Sequence, residues 1–140
     1  MREILFRAKS GNEWVYGDLV HLFGNDNIAI HHAEHEGETR NYIDIIPKTV
    51  GQYTGLTDKN GKKIFEGDIV KAECDLYHGE NKKERVTHIG TVIYDKKFCQ
   101  FGINVAGFSK CYVLNRWKGD YNEVIGNIHD NPELLKGGAE

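Results

Sequence analysis

The residues best suited to chemistry in this chain are histidines: His31, His32 and His35 fall within five positions, beside Glu34 and Glu36. On a helix, His31 and His35 would share a face and could chelate a metal through imidazole nitrogen. The run is short, its neighbours favour strand and loop, and the HExxH spacing of a metalloprotease is absent. A solvated loop is therefore expected, with no metal and no cofactor. Asp18 and Asp68 could be imagined as a carboxylate pair for acid–base work. Each follows a glycine in a repeated motif, Gly17-Asp18 and Gly67-Asp68, so bonding within a turn is the expected role. Ser10 and Ser109 lack the GxSxG context of a nucleophile elbow. Gly51-Gln-Tyr-Thr-Gly55 is too short for a phosphate loop and lacks its GK[ST] end. These residues point away from an enzyme.

Aromatic and basic residues offer a different chemistry. Tyr53, Lys59, Lys62, Lys63 and Phe65 fall close together, and small barrels bind single-stranded nucleic acid by stacking bases on aromatics beside a cationic groove. The competing expectation is that Tyr53 and Phe65 are core residues and the lysines are solvated. Net charge is −3, from 18 basic and 21 acidic residues, which gives no global field to draw in nucleic acid or an anionic membrane.

The cysteines Cys74, Cys99 and Cys111 are odd in number, widely spaced and without a CxxC pair. They fit a reducing compartment, where thiols serve as small core hydrophobes. The opening Met1–Arg7 carries only a three-residue apolar run, far short of a signal peptide or a membrane span. A soluble protein that stays where it is made is expected.

Positioning falls to short β-rich runs separated by Gly, Asn and Asp, and long 3.6-period apolar patterns are absent. Strands are expected at Glu3–Ala8, Glu13–Val20, Ile28–His31 and Asn41–Ile46, the last ended by Pro47. Residues 31–40 read as a polar loop, 47–63 as a turn-rich connection, and 77–85 as a solvated mobile loop. Further strands are expected at Ile64–Cys74, His88–Tyr94 and Phe98–Val105. A hairpin joining Cys111–Trp117 to Asn122–Ile128 follows. One short helix is expected at Pro132–Lys136, with Asn131 as N-cap and Gly137-Gly138 as its stop.

An internal echo organises the chain. Ser10–Val20 aligns with Asn60–Val70 at an offset of fifty residues, pairing Gly17 with Gly67 and Asp18 with Asp68. It could mark two related β units or one turn solution used twice, and the second is favoured. Glycine accommodates the φ > 0 of a bend or bulge, and the adjacent aspartate accepts bonds from backbone N–H groups freed there. The expected architecture is all-β. It comprises a small SH3-like barrel over residues 51–140, additional N-terminal strands over 1–50 and one short C-terminal helix.

The run from Pro47 through Gln52-Tyr-Thr-Gly-Leu-Thr-Asp-Lys-Asn-Gly-Lys-Lys-Ile-Phe-Glu-Gly-Asp-Ile-Val70 to Lys71 resembles the signature of the YopX family of bacteriophages and prophages. Arg2–Arg7 with Trp14–Leu19, and Val124–Leu135, resemble its N- and C-terminal motifs, so the resemblance covers the whole chain. It implies a β-rich fold, a phage or prophage origin and action in the cytoplasm of a bacterial host, and it carries over no catalytic residue. The expectation is thus a non-enzymatic accessory protein acting through protein contacts, as a homo-oligomer. A small-barrel nucleic-acid-binding protein is the alternative, and a metal enzyme built on His31, His32 and His35 comes third.

Overall fold

The computed structural model describes residues 1–22, 27–32, 42–77, 79–80, 83–105, 111–113 and 122–137. The chain divides into two compact units, Met1–Gly55 and Leu56–Glu140. Both are built almost wholly of antiparallel β-structure, as the alternating apolar pattern requires.

In the first unit the strands are β1 (Phe6–Ser10), β2 (Glu13–His21), β3 (Ile28–His31), β4 (Tyr42–Asp44) and the start of β5 (Gly51–Thr57). They lie in the order β4-β3-β2-β1-β5. Gly11, at φ +62°, turns β1 into β2, a conformation that suits glycine. Ala8 then faces Val15, and Leu19, Ile30 and Ile43 line up across β2, β3 and β4. Ala8, Ala29 and Ile30 are fully buried. A 3₁₀ turn at Pro47–Thr49 precedes β5, and the Thr49 hydroxyl ties it to β1 by accepting from Lys9 N at 2.8 Å.

β5 occupies much of the stretch expected to be a turn-rich connection. Its Gly51, Gly55, Gln and Thr residues hide the strand signal, yet Tyr53 N donates to Leu5 O at 2.8 Å. The expected single strand Ile64–Cys74 is two, β6 (Lys63–Phe65) and β7 (Asp68–Tyr77), parted by a turn at Glu66-Gly67. Beyond them run β8 (Lys83–Asp95), β9 (Gln100–Val105), β10 (Cys111–Val113), β11 (Asn122–Asn127) and the short helix α1 (Leu134–Gly137). Ile64, Val70, Val92, Ile103 and Val105 form the core of the second unit, with Leu56, Phe101 and Val124 packed on it.

This unit corrects one expectation. Its five-stranded sheet runs β10-β9-β8-β7-β11, with β10 and β11 at opposite edges among the described residues, while residues 114–121 of the expected Cys111–Ile128 hairpin lie outside them. With its edges apart the sheet is open and does not close into a small barrel, which would require its two edges to pair. The physical cause is the length of the β7–β8 ladder. It continues to Tyr77↔Lys83, whereas β9 and β11 cover only its inner part, so chain is spent on a two-stranded arm. Most of the charged stretch expected as a loop, residues 77–85, belongs to that arm or leads into it. There Arg85 meets Glu73 at 3.5 Å. No helix among the described residues is long and apolar enough to cross a membrane.

Candidate functional site

The echoed Gly-Asp motifs take different structures. Gly67 sits in the turn before β7 at φ +85°, its N–H bonded to Val92 O and its carbonyl to Ile128 N, both at 2.9 Å. Asp68, 1% exposed, accepts from Phe65 N at 2.8 Å and closes that turn. Gly17 lies inside the continuous strand β2, opposite Phe6, where a Cβ would overlap the His31 carbonyl oxygen. The Asp18 side chain is 76% exposed and lies 3.7 Å from His31 Nδ1. Asp18 and Asp68 therefore occupy separate units in opposite environments.

The same dispersal holds for the remaining candidates. Tyr53 is buried at 8% exposure, so its ring is not presented for base stacking. Lys59, Lys62 and Lys63 share the β5–β6 hairpin, where Lys59 Nζ pairs with Glu123 at 3.1 Å. His35, Glu34 and Glu36 lie outside the described residues. The His32 Nδ1–H donates to Tyr16 O at 2.8 Å, and the His31 ring rests 5.9 Å from that of Tyr42. Among the described residues no three His, Cys, Asp or Glu side chains converge on a common point. Cys99 departs from the expected core role: it is exposed, at φ +52°, in the turn between β8 and β9.

What the fold assembles instead is an aromatic face on the first unit. Strand register sets Lys9 opposite Trp14, Arg7 opposite Tyr16, Asp18 opposite His31, and His31 opposite Tyr42. Side chains alternate across a strand, so Trp14, Tyr16 and Asp18 share one surface of β2. That surface is opposite the one carrying Ala8, Val15, Leu19 and Ile30. Arg7, 5% exposed, has its guanidinium 4.6 Å from the Trp14 ring centroid, and Lys9 Nζ lies 5.5 Å from it. Both are cation–π distances, and they hold the indole in place. Tyr16 and Tyr42 remain 41% and 43% exposed.

Neither Trp14, Tyr16, Tyr42 nor the flanking Arg7 and Lys9 stood out as a site in the sequence. The available signal was period-two spacing: Arg7-x-Lys9 and Trp14-x-Tyr16-x-Asp18, separated by the Ser10-Gly11-Asn12 turn, must meet once the hairpin closes. The face holds no nucleophile–base pair. It offers broad rings, a few polar groups and charges of both signs, the composition of a surface that docks another molecule.

A family model described as YopX protein matches residues 5–136. Among solved structures, the chain is similar to the crystal structure of protein EF1440 from Enterococcus faecalis, with 28% sequence identity and a TM-score of 0.53. The match covers 96% of this chain and 99% of that one. No curated protein matches the sequence.

Proposed function

The chain belongs to the YopX protein family, and on that premise we propose that it is a non-enzymatic accessory protein that acts by docking a protein surface. The docking face is that of Trp14, Tyr16 and Tyr42, and the setting is a phage or prophage function in the host cytoplasm. One observation carries the reading: three large aromatic residues, Trp14 and Tyr16 on β2 and Tyr42 on β4, share one sheet surface, with Tyr16 and Tyr42 left substantially exposed. Aromatic side chains are enriched at protein interfaces and dominate their energetics, because they cover much area with few rotatable bonds. Asp18, exposed in the middle of this face, favours a protein over a polyphosphate ligand, since it repels phosphate.

The test is affinity capture from infected or prophage-induced cells, with nuclease treatment, comparing the wild type with Tyr16→Ala and Tyr42→Ala. A protein partner should survive nuclease and lose about 2 kcal/mol of binding, roughly 30-fold, in either variant. Capture that disappears with nuclease would favour the nucleic-acid alternative, with Lys59, Lys62 and Lys63 as the next residues to test.

A further inference from the structure

We propose that the second unit binds single-stranded nucleic acid at the turn between β8 and β9, through Tyr94, Phe98, Lys96 and Lys97. The site shares no residue with the face of Trp14, Tyr16 and Tyr42, so it goes beyond the docking reading. The carrying observation is that the core surface of this sheet runs out into open rings beside unpaired ammonium groups. Val92 and Ile103 face each other across β8 and β9, and they are 1% and 3% exposed. Two residues further along the same surface, the facing pair is Tyr94 and Phe101. Their rings meet edge to face at 5.4 Å, and Tyr94 is left 45% exposed. Phe98, in the turn that follows, is 64% exposed. Open rings gathered on one hairpin mark a contact surface, as scattered apolar residues do not.

Charge names the occupant. Lys96 and Lys97 are both exposed, and Lys97 Nζ stands 5.5 Å from the Phe98 ring centroid. Among the described residues neither lysine pairs with a carboxylate, whereas Lys59 meets Glu123 and Arg85 meets Glu73. The carboxylate within the turn, Asp95, accepts from Lys97 N at 3.0 Å through Oδ1. That bond fixes the tip and still leaves it two cations against one anion. Flat rings interleaved with cations match a ligand that offers bases to stack and phosphates to neutralise. An acidic peptide would satisfy the lysines but not the rings, and a duplex keeps its base faces inside its own stack. Glu66 precedes Gly67, whose N–H bonds Val92 O at 2.9 Å, so the inner end of the shelf borders an acidic turn. Phosphates therefore belong at the outer end, by Lys96 and Lys97, with bases over Tyr94 and Phe98. With a net charge of −3 the chain adds no long-range attraction, so binding rests on this local contact.

The test is fluorescence anisotropy of labelled oligothymidylate and oligouridylate, titrated with the full chain over a series of salt concentrations. Binding is expected in the range of about 1–100 μM at low salt, and the ratio of the two affinities tells DNA from RNA as the source. Two phosphate contacts on a single strand should give a slope of log affinity against log salt of about −1.4. Lys96→Gln and Lys97→Gln should each remove about 0.7 from its magnitude. Phe98→Ala deletes an exposed ring, so it should melt like the wild type and bind about tenfold more weakly. Should Phe98→Ala unfold, the two lysine variants carry the test through their salt slopes. Tyr16→Ala, on the other unit, should bind as the wild type does. No binding up to about 1 mM overturns the inference, as does an affinity unmoved by Phe98→Ala. It is equally overturned by an oligoglutamate of matched charge, or a matched duplex, that competes as well as the single strand. Loss of oligonucleotide binding with protein capture intact ends this inference alone and leaves the proposed function standing.

Discussion

At the residue scale, the two echoed glycines are needed for different reasons, and a substitution series separates them. Gly67 has a φ of +85° with ordinary space around a Cβ, the nearest atom being Ile128 Cγ1 at 3.7 Å. Its constraint is torsional, so Gly67→Val should cost about 1–3 kcal/mol, and Gly67→Asn clearly less, because asparagine tolerates the left-handed region. Gly17 is constrained by contact: any Cβ runs into the backbone carbonyl of His31, which no rotamer change can move aside. Gly17→Ala should therefore already cost about 1–3 kcal/mol, with Gly17→Asn no better. Urea unfolding of the four variants would show it, and an Asn rescue at both positions would refute the distinction. The sequence alignment of residues 10–20 with 60–70 makes both glycines visible but gives no means of telling them apart. The difference arises because β2 continues through Gly17 against two neighbouring strands, whereas the chain turns at Gly67.

At the element scale, the residue that fastens the β5–β6 hairpin to β11 is Asp58, whose local sequence shows only a turn. Its Oδ1 accepts from Asn60 N and Lys62 N, and its Oδ2 from Val124 N, all at 2.9 Å. Burial pushes the carboxyl pKa up, but the three N–H bonds and the nearby Lys62 ammonium outweigh it and hold the group below its ordinary value of 3.8. A folded-state pKa below the unfolded one contributes stability above the unfolded value, and that contribution is lost as pH falls through the folded value. Asp58→Asn should therefore be less stable than wild type at neutral pH, with a gap that narrows as pH drops below about 3.8. Asp58→Ala should cost on the order of 1–3 kcal/mol for each buried donor left without a partner. A pH-independent difference in melting temperature would contradict the clamp. Asp58-Lys59-Asn60-Gly61 is legible as a turn from sequence, but the bond to Val124 lies 66 residues away, where local pattern carries no information. The same limit explains the strands. Ile28–His31 and Asn122–Asn127 were readable from alternation, whereas β5 was masked by its glycines, and the partners of β10 and β11 are long-range choices that alternation does not encode.

At the scale of the whole molecule, the two units differ in how much apolar core they own. Among the described residues the second unit buries Ile64, Phe65, Ile69, Val70, Val92, Ile103 and Val105, while the first buries only Ala8, Ala29, Ile30 and Tyr53. Among the described residues that is little buried volume for a unit of 55 residues, a size below the roughly 70–80 residues at which small folds draw on an added staple. A disulfide within it is excluded, since all three cysteines lie at Cys74 or beyond. Among the described residues no third His, Cys, Asp or Glu side chain converges with His31 and His32 to complete a metal site. A chelator should therefore leave the melting temperature unchanged, whereas a structural zinc site would couple its removal to unfolding. A fall in melting temperature on adding chelator would instead make the histidines the staple of this unit.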